Sequence, residues 1–420
     1  MHSRLTGRRR AGALLAALAM FSVALVTATS SGAAPSVRGF DGKTITVAGL
    51  GIKGQLPGGE FGARARIQRF NDTNEIKGIK IKYEELADDK QDPATALSEA
   101  RRLVSQVGVF AVVGDISANN PGQYFAQQHV PYFGGGFDNT YCSPKPSTSL
   151  WGFSSGGCIV PAKPSFISDI YGAMYKYVSQ KTGKKHPTFI VFGTDNASGR
   201  NGNRIFAIAA KGAGFKVVGI QNKYPSPPVN DYTPYAQAVL TGDHGSPPDS
   251  TFCTGALDCL DMWKVMKAQG YKGIYVHGLY TDQLVKPFDG TAVNGPYTSP
   301  SEDTPGVRQL KADLEAWKSG TPVELGAIFG YTSTDMFIQA LKGVAKKGTS
   351  NITPDNVRKY ASTMTWQIKG LMGPEEYPKS TVVTYPACFT IVASDGTAWS
   401  TAVPFSCSRK TFAPKDVKVG

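Results

Sequence analysis

Residues that mark catalytic and metal sites are scarce in this chain. Its 420 residues include only five histidines and six cysteines. No two cysteines follow the C-x-x-C spacing and no histidine lies near a cysteine, which argues against a zinc site. Carboxylates stand at the ends of predicted strands, but nothing in the sequence pairs them as acid and base. We therefore expect no enzymatic activity, no cofactor and no metal ion.

Long apolar runs are also scarce, and the N-terminus has the only candidate. Residues 1–10 carry four arginines and no acidic residue, residues 11–26 are apolar, and small residues follow. This order is typical of a secretory signal peptide. We predict a cleaved signal peptide at residues 1–34 and a mature protein in a periplasm or outside the cell. Two alternatives stay open, an uncleaved membrane anchor and export by the twin-arginine route through Arg8, Arg9 and Arg10.

No cysteine precedes Cys142, so the sequence has no lipobox and we expect no lipid anchor. An even number of cysteines in an exported chain favours disulfide bonds over metal binding. Six cysteines allow fifteen connectivities, and any of them is possible from sequence alone. Chain order favours three local pairs, which are Cys142–Cys158, Cys253–Cys259 and Cys388–Cys407.

The positive charge of the chain is not concentrated in one segment. The formal net charge is +13, and part of it belongs to the predicted signal peptide. The densest basic cluster, residues 181–185, has no aromatic residues interleaved with it, unlike a nucleic-acid groove. We expect no nucleic-acid partner.

Short β-branched runs alternate with longer amphipathic segments. In the first half of the chain, strands are predicted at 43–49, 79–86, 108–115 and 130–135. Helices are predicted between them, at 60–73, 93–105 and 122–128. A loop region is predicted at 139–163, and the alternation then resumes. Helices are predicted at 166–181, 199–212, 232–240 and 257–269, and strands at 187–193, 215–221, 250–255 and 271–278. Strands and helices alternating at this spacing form parallel sheets covered by helices. The sequence therefore predicts an α/β fold with two similar units.

The remaining segments return to these units. Helices are predicted at 306–318, 334–346 and 353–362, and we expect them to pack on the first unit. A late strand at 387–394 would add to the second unit.

Residues 49–54 (GLGIKG) match the G-x-G-x-x-G pattern that follows a strand in dinucleotide-binding folds. Here QLPGG intervenes before the predicted helix, and the candidate ribose carboxylates Glu84 and Glu85 lie farther along the chain than that fold requires. A glycine-rich loop that lines a cleft is the alternative interpretation.

Six predicted strand ends are polar and rich in glycine. Ligands of open parallel sheets bind beyond the carboxyl ends of the strands, where small residues let backbone amides approach closely. The sequence therefore predicts a ligand-binding cleft between the units, although each segment alone could be a surface loop. The segments are 51–59, 115–120 and 134–139 in the first unit and 194–199, 254–258 and 278–282 in the second.

Several of these segments resemble the branched-chain amino-acid (leucine/isoleucine/valine) family of type I periplasmic binding proteins. KTITVAGLG, a glycine-rich loop and EFGARARIQRFN are similar to that family's first strand, loop and helix. Residues 81–120, IKYEELADDKQDPATALSEARRLVSQVGVFAVVGDISANN, resemble its most recognisable region. VPYFGGGFDN and FIVFGTDNASGRNG follow in the family's order, so the resemblance covers about residues 43–394.

The resemblance implies two Rossmann-like lobes with parallel sheets, joined by a three-crossover hinge that closes on a ligand. The first lobe would comprise residues 43–154 and 296–372. The second would comprise residues 155–295 and 373–412. The crossovers would lie near 151–156, 296–299 and 372–377.

By position in the family, ligand contacts map onto eleven residues, which are Ser117, Ala118, Asn119, Asn120, Gly136, Phe137, Asp138, Ser198, Ala256, Leu279 and Tyr280. Amino-acid-binding members hold the ligand carboxylate with a Ser/Thr-rich loop, where this chain has Ala118-Asn119-Asn120. They meet the ammonium with an acidic residue, where this chain has Leu279-Tyr280 or, with a shift, Asp282.

A buried ammonium without a counter-charge costs several kcal/mol. We therefore expect a ligand other than a leucine-like amino acid. Phe137 and Tyr280 suit an apolar or aromatic ligand, and Asn119 and Asn120 could orient its polar group. Two alternatives stay open: the aromatic residues could only pack the lobes together, and Asp138 could bind a cationic ligand.

The resemblance implies an extracytoplasmic solute-binding protein of an ABC importer. Such a protein is expected to be a monomer that captures a small molecule between its lobes and passes it to the transporter permease. Two alternatives stay open, a ligand-sensing receptor subunit of the same fold and an exported enzyme. Turnover of a bound compound would indicate the enzyme.

Overall fold

Two β-sheets of different size organise the protein. The computed structural model describes residues 37–143, 150–225 and 227–415. All of these residues belong to one compact unit, which begins at Val37. The predicted signal peptide, residues 1–34, lies outside the described residues.

The first sheet has five parallel strands in the order β2-β1-β3-β4-β5. Its central strands are buried on both faces, as expected for a parallel sheet covered by helices. The strands are β1 (Thr44–Gly51), β2 (Lys80–Asp88), β3 (Ala111–Asp115), β4 (Tyr132–Gly134) and β5 (Gly152–Ser154).

The second sheet has seven strands in the order β15-β14-β11-β10-β9-β7-β8. Five of them are parallel, and β14 and β15 add antiparallel strands at one edge. These strands are β7 (Thr188–Thr194), β8 (Lys216–Tyr224), β9 (Ser250–Cys253), β10 (Ile274–His277), β11 (Ala292–Gly295), β14 (Ala387–Ser394) and β15 (Trp399–Ser408).

Two short pairings complete the strands, β12 (Thr365–Ile368) with β13 (Met372–Glu376) and β6 (Ile167–Ser168) with β16 (Thr411–Phe412). The helices are α1 (Gly58–Asp72), α2 (Pro93–Arg102), α3 (Gly122–Gln127), α4 (Gly172–Thr182), α5 (Ala197–Ala213), α6 (Thr233–Leu240), α7 (Asp258–Ala268), α8 (Pro305–Trp317), α9 (Leu325–Ala345) and α10 (Pro354–Ala361). None of the helices in the described part of the chain is long and apolar enough to cross a membrane.

The late helices return to the first sheet, as the sequence predicts. Helix α9 packs on α1 and on β3, and α8 packs on α1. Arg66 of α1 ties this interface together, because its guanidinium donates to Asp335 of α9 at 2.7 Å and pairs with Glu75 at 2.7 Å. The guanidinium is 1 % exposed, so both carboxylates are needed to compensate its desolvation.

The predicted α/β fold with parallel sheets is confirmed, and several boundaries differ. Helix α9 begins at Leu325 rather than at residue 334, because nearly every residue in it is buried and no polar face marks its period. Helix α4 begins at Gly172 rather than at residue 166, since residues 167–168 pair as β6. The sequence also missed β5, inside the predicted loop at 139–163, and the edge strand β15.

Three disulfide bonds join the cysteines that are neighbours in chain order. The bonds are Cys142–Cys158, Cys253–Cys259 and Cys388–Cys407. The first ties the loop after β4 to the segment after β5, and the third joins β14 to β15. The second bridges the end of β9 and the first turn of α7.

Candidate functional site

A cavity of about 250 Å³ lies where the carboxyl ends of the two parallel sheets face each other. Strand-to-helix loops of both sheets contribute to its wall, together with helix and strand residues. The wall residues from the first sheet and its helices are Ile52, Leu56, Gln91, Ile116, Ala118, Asn119, Phe137, Leu325 and Phe329. Those from the second sheet and its helices are Ile170, Tyr171, Thr194, Asn196, Ser198, Gly199, Gly202, Phe206, Phe252, Cys253, Thr254, Gly255, Ala256, Asp258, Gly278, Asn294 and Phe389, and Ile159, Val160 and Pro296 come from segments between the sheets.

Asp89 organises the loops on the first-sheet side. Its carboxylate accepts hydrogen bonds from the Ser117 hydroxyl at 2.5 Å, from the Asn119 amide at 2.9 Å and from the Gln91 backbone N–H at 2.9 Å. Asp89 is fully buried, so it lies behind the wall and not in it. One carboxylate therefore sets the relative position of the loop after β2 and the loop after β3.

A second buried acidic cluster lies beneath the same loops. Asp115 accepts a hydrogen bond from the Tyr141 hydroxyl, and Asp138 accepts one from the Thr140 backbone N–H at 2.7 Å. Burial raises the pKa of Asp115 well above its ordinary value and raises that of Asp138 to about 6. The Asn120 N–H faces the Asp138 carboxylate, which links this cluster to the cavity loop.

The loops on the second-sheet side are held by their own side chains. Asn196 caps α5 by accepting from the Gly199 N–H at 2.7 Å. Asp258, the first residue of α7, accepts from the Ala256 N–H at 2.6 Å, and its other oxygen accepts from the Tyr224 hydroxyl at 2.7 Å. The Cys253–Cys259 disulfide closes the base of this second loop.

Hydrogen bonds join the two sides, and one of them runs between backbones, from the Leu325 N–H to the Tyr280 carbonyl at 2.8 Å. The Ser198 hydroxyl donates to the Ala118 carbonyl at 3.0 Å, and the Leu257 N–H donates to the Gln55 side-chain oxygen at 3.3 Å. Both join loops that belong to different sheets. The structure is therefore one in which the two sides are closed on each other.

Aromatic side chains from the two sides face the cavity in pairs. Phe137 and Phe329 pack edge to face with ring centroids 5.2 Å apart, on the first-sheet side. Phe206 and Phe252 pack edge to face at 5.8 Å on the second-sheet side. These rings make the cavity mainly apolar, with polar groups gathered at the loops.

The wall carries little charge. Asp258 is its only carboxylate, and the wall as described contains no lysine, arginine or histidine. Burial raises the pKa of Asp258. In the part of the chain that the structure describes, no cluster of His, Cys, Asp and Glu has the arrangement of a metal site.

The structure places five of the eleven expected ligand contacts in the cavity wall. They are Ala118, Asn119, Phe137, Ser198 and Ala256. Four others lie just behind the wall, on the first-sheet side. Polar groups of three of them are hydrogen-bonded to neighbouring protein atoms, and the backbone of the fourth is enclosed by its neighbours. The three are Ser117, Asn120 and Asp138, and the fourth is Gly136.

Leu279 and Tyr280 lie elsewhere. Leu279 is 2 % and Tyr280 3 % exposed, and the Tyr280 ring packs against Trp399 with centroids 5.4 Å apart. The Tyr280 hydroxyl donates to Asp282 at 2.7 Å. These residues are therefore packed in the core of the second-sheet side, which leaves Gly278 to represent their loop in the wall.

Sequence reasoning missed most of the aromatic wall. Phe206 lies on α5, Phe252 on β9 and Phe389 on β14, where they match the pattern of ordinary core residues. Asn196 did carry a signal, because Asn followed by a helical pattern predicts an N-cap at a strand-to-helix loop. Nothing in the sequence distinguishes an aromatic residue that faces a cavity from one that faces the core.

The glycines of residues 49–54 include positions where a neighbouring segment of the chain packs too closely for a side chain. A Cβ atom on Gly51 would lie 2.3 Å from Ile116 Cγ1. Helix α1 begins at Gly58, whose N–H donates to the Glu324 carboxylate at 2.6 Å. A carboxylate therefore occupies the helix N-terminus that would meet a pyrophosphate in a dinucleotide site, and the loop lines the cavity through Ile52.

Residues 152–156 (GFSSG) match the sequence pattern of the G-x-S-x-G nucleophile motif. In hydrolases this motif turns from a strand into a helix and exposes the serine. Here Ser154 ends β5, is 1 % exposed and accepts a hydrogen bond from the Gly156 N–H at 2.9 Å. Its backbone is held by the Tyr377 hydroxyl, so Ser154 belongs to a connection between the sheets.

The sequence and the fold were compared with known proteins. The sequence model of a family described as periplasmic binding protein matches residues 46–396. No curated protein sequence matches the chain significantly.

Many solved structures share the fold. An ABC transporter substrate-binding protein from Aeropyrum pernix is 16% identical, with 88% of this chain and 98% of that chain covered and a TM-score of 0.69. A fatty acid ABC transporter substrate-binding protein from Thermomonospora curvata is 15% identical, with 89% and 94% covered and a TM-score of 0.69. An ABC transporter solute-binding protein from R. palustris, in complex with 4-hydroxybenzoate, is 14% identical, with 87% and 98% covered and a TM-score of 0.66.

Proposed function

Since the chain belongs to the periplasmic binding protein family and has its type I fold, we propose that it is the extracytoplasmic solute-binding protein of an ABC importer. It is exported by the N-terminal signal peptide and works as a monomer without catalysis. It captures a small molecule between two closing lobes and delivers it to the transporter permease.

The two sheets are the cores of the two lobes in this proposal. Residues 43–154 and 296–372 form the first lobe, and residues 155–295 and 373–412 form the second. Contacts among the three connecting segments support a hinge, because the Tyr377 hydroxyl bonds both the N–H and the carbonyl of Ser154 at 2.9 Å. The third crossover, near residues 372–377, then contains β13, which pairs with β12 as far as Glu376.

The enclosed cavity between the loops of both sheets is the observation that carries this function. Its wall takes residues from both sides, and hydrogen bonds from Ser198 and Leu257 reach across it. A ligand in this cavity would contact both lobes at once only in the closed state. Its binding would therefore shift the equilibrium between open and closed lobes, which is the signal a transporter can read.

We propose that Ala118, Asn119, Phe137, Ser198 and Ala256 contact the ligand. Ser117 and Asp138 act one layer back by holding the loop after β3, Ser117 through the Asn119 N–H and Asp138 through the Asn120 N–H. The relatives described above are named for a fatty acid and for 4-hydroxybenzoate, so this fold serves ligands of different chemistry. The wall as described has no cation for the carboxylate of a leucine-like zwitterion, and both oxygens of its one carboxylate, Asp258, already accept hydrogen bonds.

Thermal unfolding of the mature protein against a panel of small molecules tests the proposal. The panel contains amino acids, aromatic acids, polyamines, amides and sterol-like compounds. A ligand at a hundred times its dissociation constant adds about 2.7 kcal/mol to the free energy of unfolding, which raises the midpoint by a few degrees. Small-angle X-ray scattering of the same mixtures should show a smaller radius of gyration.

Each result has a clear meaning. A compound that raises the midpoint and compacts the protein supports a solute receptor. A compound that is chemically converted contradicts the proposal and indicates an enzyme. If no compound of the panel raises the midpoint, the proposal is contradicted as well, and the search would turn to a protein ligand.

A further inference from the structure

The charges and hydrogen-bonding groups of the cavity wall restrict what it can bind. A ligand carboxylate needs a cation or free N–H donors, and a ligand ammonium needs a free carboxylate. No lysine or arginine stands in the described wall, and both oxygens of Asp258 already accept hydrogen bonds, from Tyr224 and from Ala256. Neither charged group therefore finds a vacant partner of opposite charge.

Two backbone amides of the first-sheet loop are also occupied. The Ser117 N–H donates to the Asp115 carboxylate at 3.1 Å, and the Asn119 N–H donates to the Ser117 hydroxyl at 3.2 Å. This loop is the one that would hold a carboxylate by its amides. A ligand anion would have to break these bonds to be held by those two amides.

The second-sheet loops show the same arrangement. The Gly199 N–H donates to the Asn196 side chain, and the Ala256 N–H donates to Asp258. These amides stand at the N-termini of α5 and α7, which are the natural positions for binding an anion. Side chains of the protein therefore already accept from one amide at the N-terminus of each helix.

Acceptors remain available at the Asn119 and Ser198 end of the cavity. The Asn119 side-chain N–H donates to Asp89, and its side-chain oxygen has no hydrogen-bond partner among the described residues. The Ser198 hydroxyl donates across the cavity to Ala118, which leaves its own oxygen able to accept. A ligand with a neutral hydroxyl or amide N–H fits this end of the cavity.

The rest of the cavity suits a ring. The Phe137–Phe329 pair and the Phe206–Phe252 pair approach it from opposite sides. An apolar cavity of about 150 Å³ takes one benzene molecule. The volume of about 250 Å³ found here therefore holds one ring with a small substituent.

We infer that this cavity takes an uncharged, ring-sized apolar compound that bears one hydrogen-bond donor, with the ring between the two phenylalanine pairs and the donor at Asn119 and Ser198. The inference rests on the proposed function, since it names the solute class of the same site. It separates this chain from receptors whose solutes are zwitterions or carboxylates.

Four compounds that share a benzene ring and differ in charge test the inference: benzyl alcohol, benzoate, benzylamine and phenylalanine. Dissociation constants are measured by saturation-transfer NMR on the full mature protein, with thermal unfolding in parallel. Benzyl alcohol should bind at least tenfold more tightly than each of the other three. Tighter binding of benzoate or phenylalanine would overturn the inference, and so would tighter binding of benzylamine, which would make Asp258 its counter-charge.

Two variants locate the binding. Phe206→Ala and Phe137→Ala remove one ring from each side at half-buried positions, and each should weaken benzyl alcohol at least tenfold. Phe61→Ala is the matched control, because Phe61 is also half-buried but stacks on Trp317 outside the wall. Equal weakening by Phe61→Ala would overturn the assignment to this cavity.

Failure of the inference differs from failure of the proposed function. If a charged compound binds and the radius of gyration falls, the solute receptor stands and the neutral class is wrong. If benzyl alcohol binds with the expected preference but the lobes do not close, the class stands and the receptor mechanism is wrong. If none of the four compounds binds, the ring-sized neutral class is wrong, and the wider panel decides the receptor.

Discussion

Buried carboxylates behind the cavity set the positions of single side chains in its wall. Asp89 shows how: it is fully buried, yet it bonds both Ser117 and Asn119. Charged groups are rarely buried unless hydrogen bonds compensate the lost hydration. Here the compensating donors are the loop residues themselves. The hydrogen bonds that offset the cost of burying Asp89 therefore also fix the positions of these loop residues.

Asp138 makes the stability of the protein depend on pH. Burial raises its pKa to about 6, whereas an exposed aspartate titrates near 4. The folded state therefore holds this proton more tightly, and the free energy of unfolding falls as the pH rises from about 4 to about 6. Asp138→Asn removes the titration and can keep the Thr140 bond, so it should be more stable than the natural protein at pH 7.5, by about 2 kcal/mol.

Urea unfolding at pH 4.5 and pH 7.5 measures this difference. The advantage of Asp138→Asn should be small at pH 4.5 and full at pH 7.5. Asp72→Asn provides the same chemical change at an exposed position and should alter stability little at either pH. An advantage of Asp138→Asn that does not change with pH would contradict the buried-charge explanation.

Helices α1 and α9 pack so closely that glycines are needed at their contact. A Cβ atom on Gly62 of α1 would lie 2.0 Å from the Ala327 carbonyl oxygen of α9. A Cβ atom on Gly330 of α9 would lie 2.1 Å from the Gly59 carbonyl oxygen of α1. The close approach brings both helices over β3, beside the loop that enters the cavity.

Gly62→Ala tests whether packing or helix propensity decides stability at this contact. Alanine favours a helix over glycine by about 1 kcal/mol, while overpacking a buried contact costs about 1–3 kcal/mol or more. Because the clash is with backbone atoms, which cannot rotate away, we expect net destabilisation of about 1–3 kcal/mol. The midpoint of urea unfolding measures it.

Gly54→Ala is the matched control for this change. No atom lies within 4 Å of a Cβ built on Gly54, so the substitution should leave the urea midpoint nearly unchanged. A stabilised Gly62→Ala variant would show that the helices separate easily and that their close packing is not needed.

For the molecule as a whole, the closed arrangement depends in part on hydrogen bonds between the loops of the two sheets. The bond from the Leu257 N–H to Gln55 is one, and the bond from Ser198 to Ala118 is another. A net hydrogen bond contributes about 0.5–1.5 kcal/mol. Such small terms let the lobes open in the absence of ligand and close when a ligand adds its own contacts.

Gln55→Ala should shift the ligand-free protein toward the open state. Loss of about 1 kcal/mol corresponds to about a fivefold lower ratio of closed to open molecules. Single-molecule fluorescence energy transfer between dyes on the two lobes measures the ratio. The free energy of unfolding should change little, because Gln55 is only half-buried.

Gln68→Ala serves as the control for this shift. The Gln68 amide donates to the Ala316 carbonyl at 3.3 Å, which joins α1 to α8 on the first-sheet side. The closed-to-open ratio of this variant should match that of the natural protein. An equal shift in both variants would contradict a role for the bond between Gln55 and Leu257.

The alternation of strand and helix patterns was enough to predict two parallel sheets and the return of the late helices to the first sheet, because period and turn residues are local properties of the chain. The loops that reach the cavity were also predictable in part, since Ala118, Asn119, Phe137, Ser198 and Ala256 follow strand ends. Helix α9 was predicted too short, because a helix buried on every side carries no amphipathic period.

Sequence patterns alone determined the α/β class and the alternation of strands with helices, and chain order favoured the three local cysteine pairs, because all of these depend on residues close together in the chain. Only the tertiary structure decided the chemistry of the cavity, because its wall combines loops that are far apart in sequence. The hydrogen bonds of Asp89 and Asp258 decide which amides remain free, and the direction of Phe206 decides whether it faces the core or the cavity. These depend on distances between elements, which no local pattern encodes.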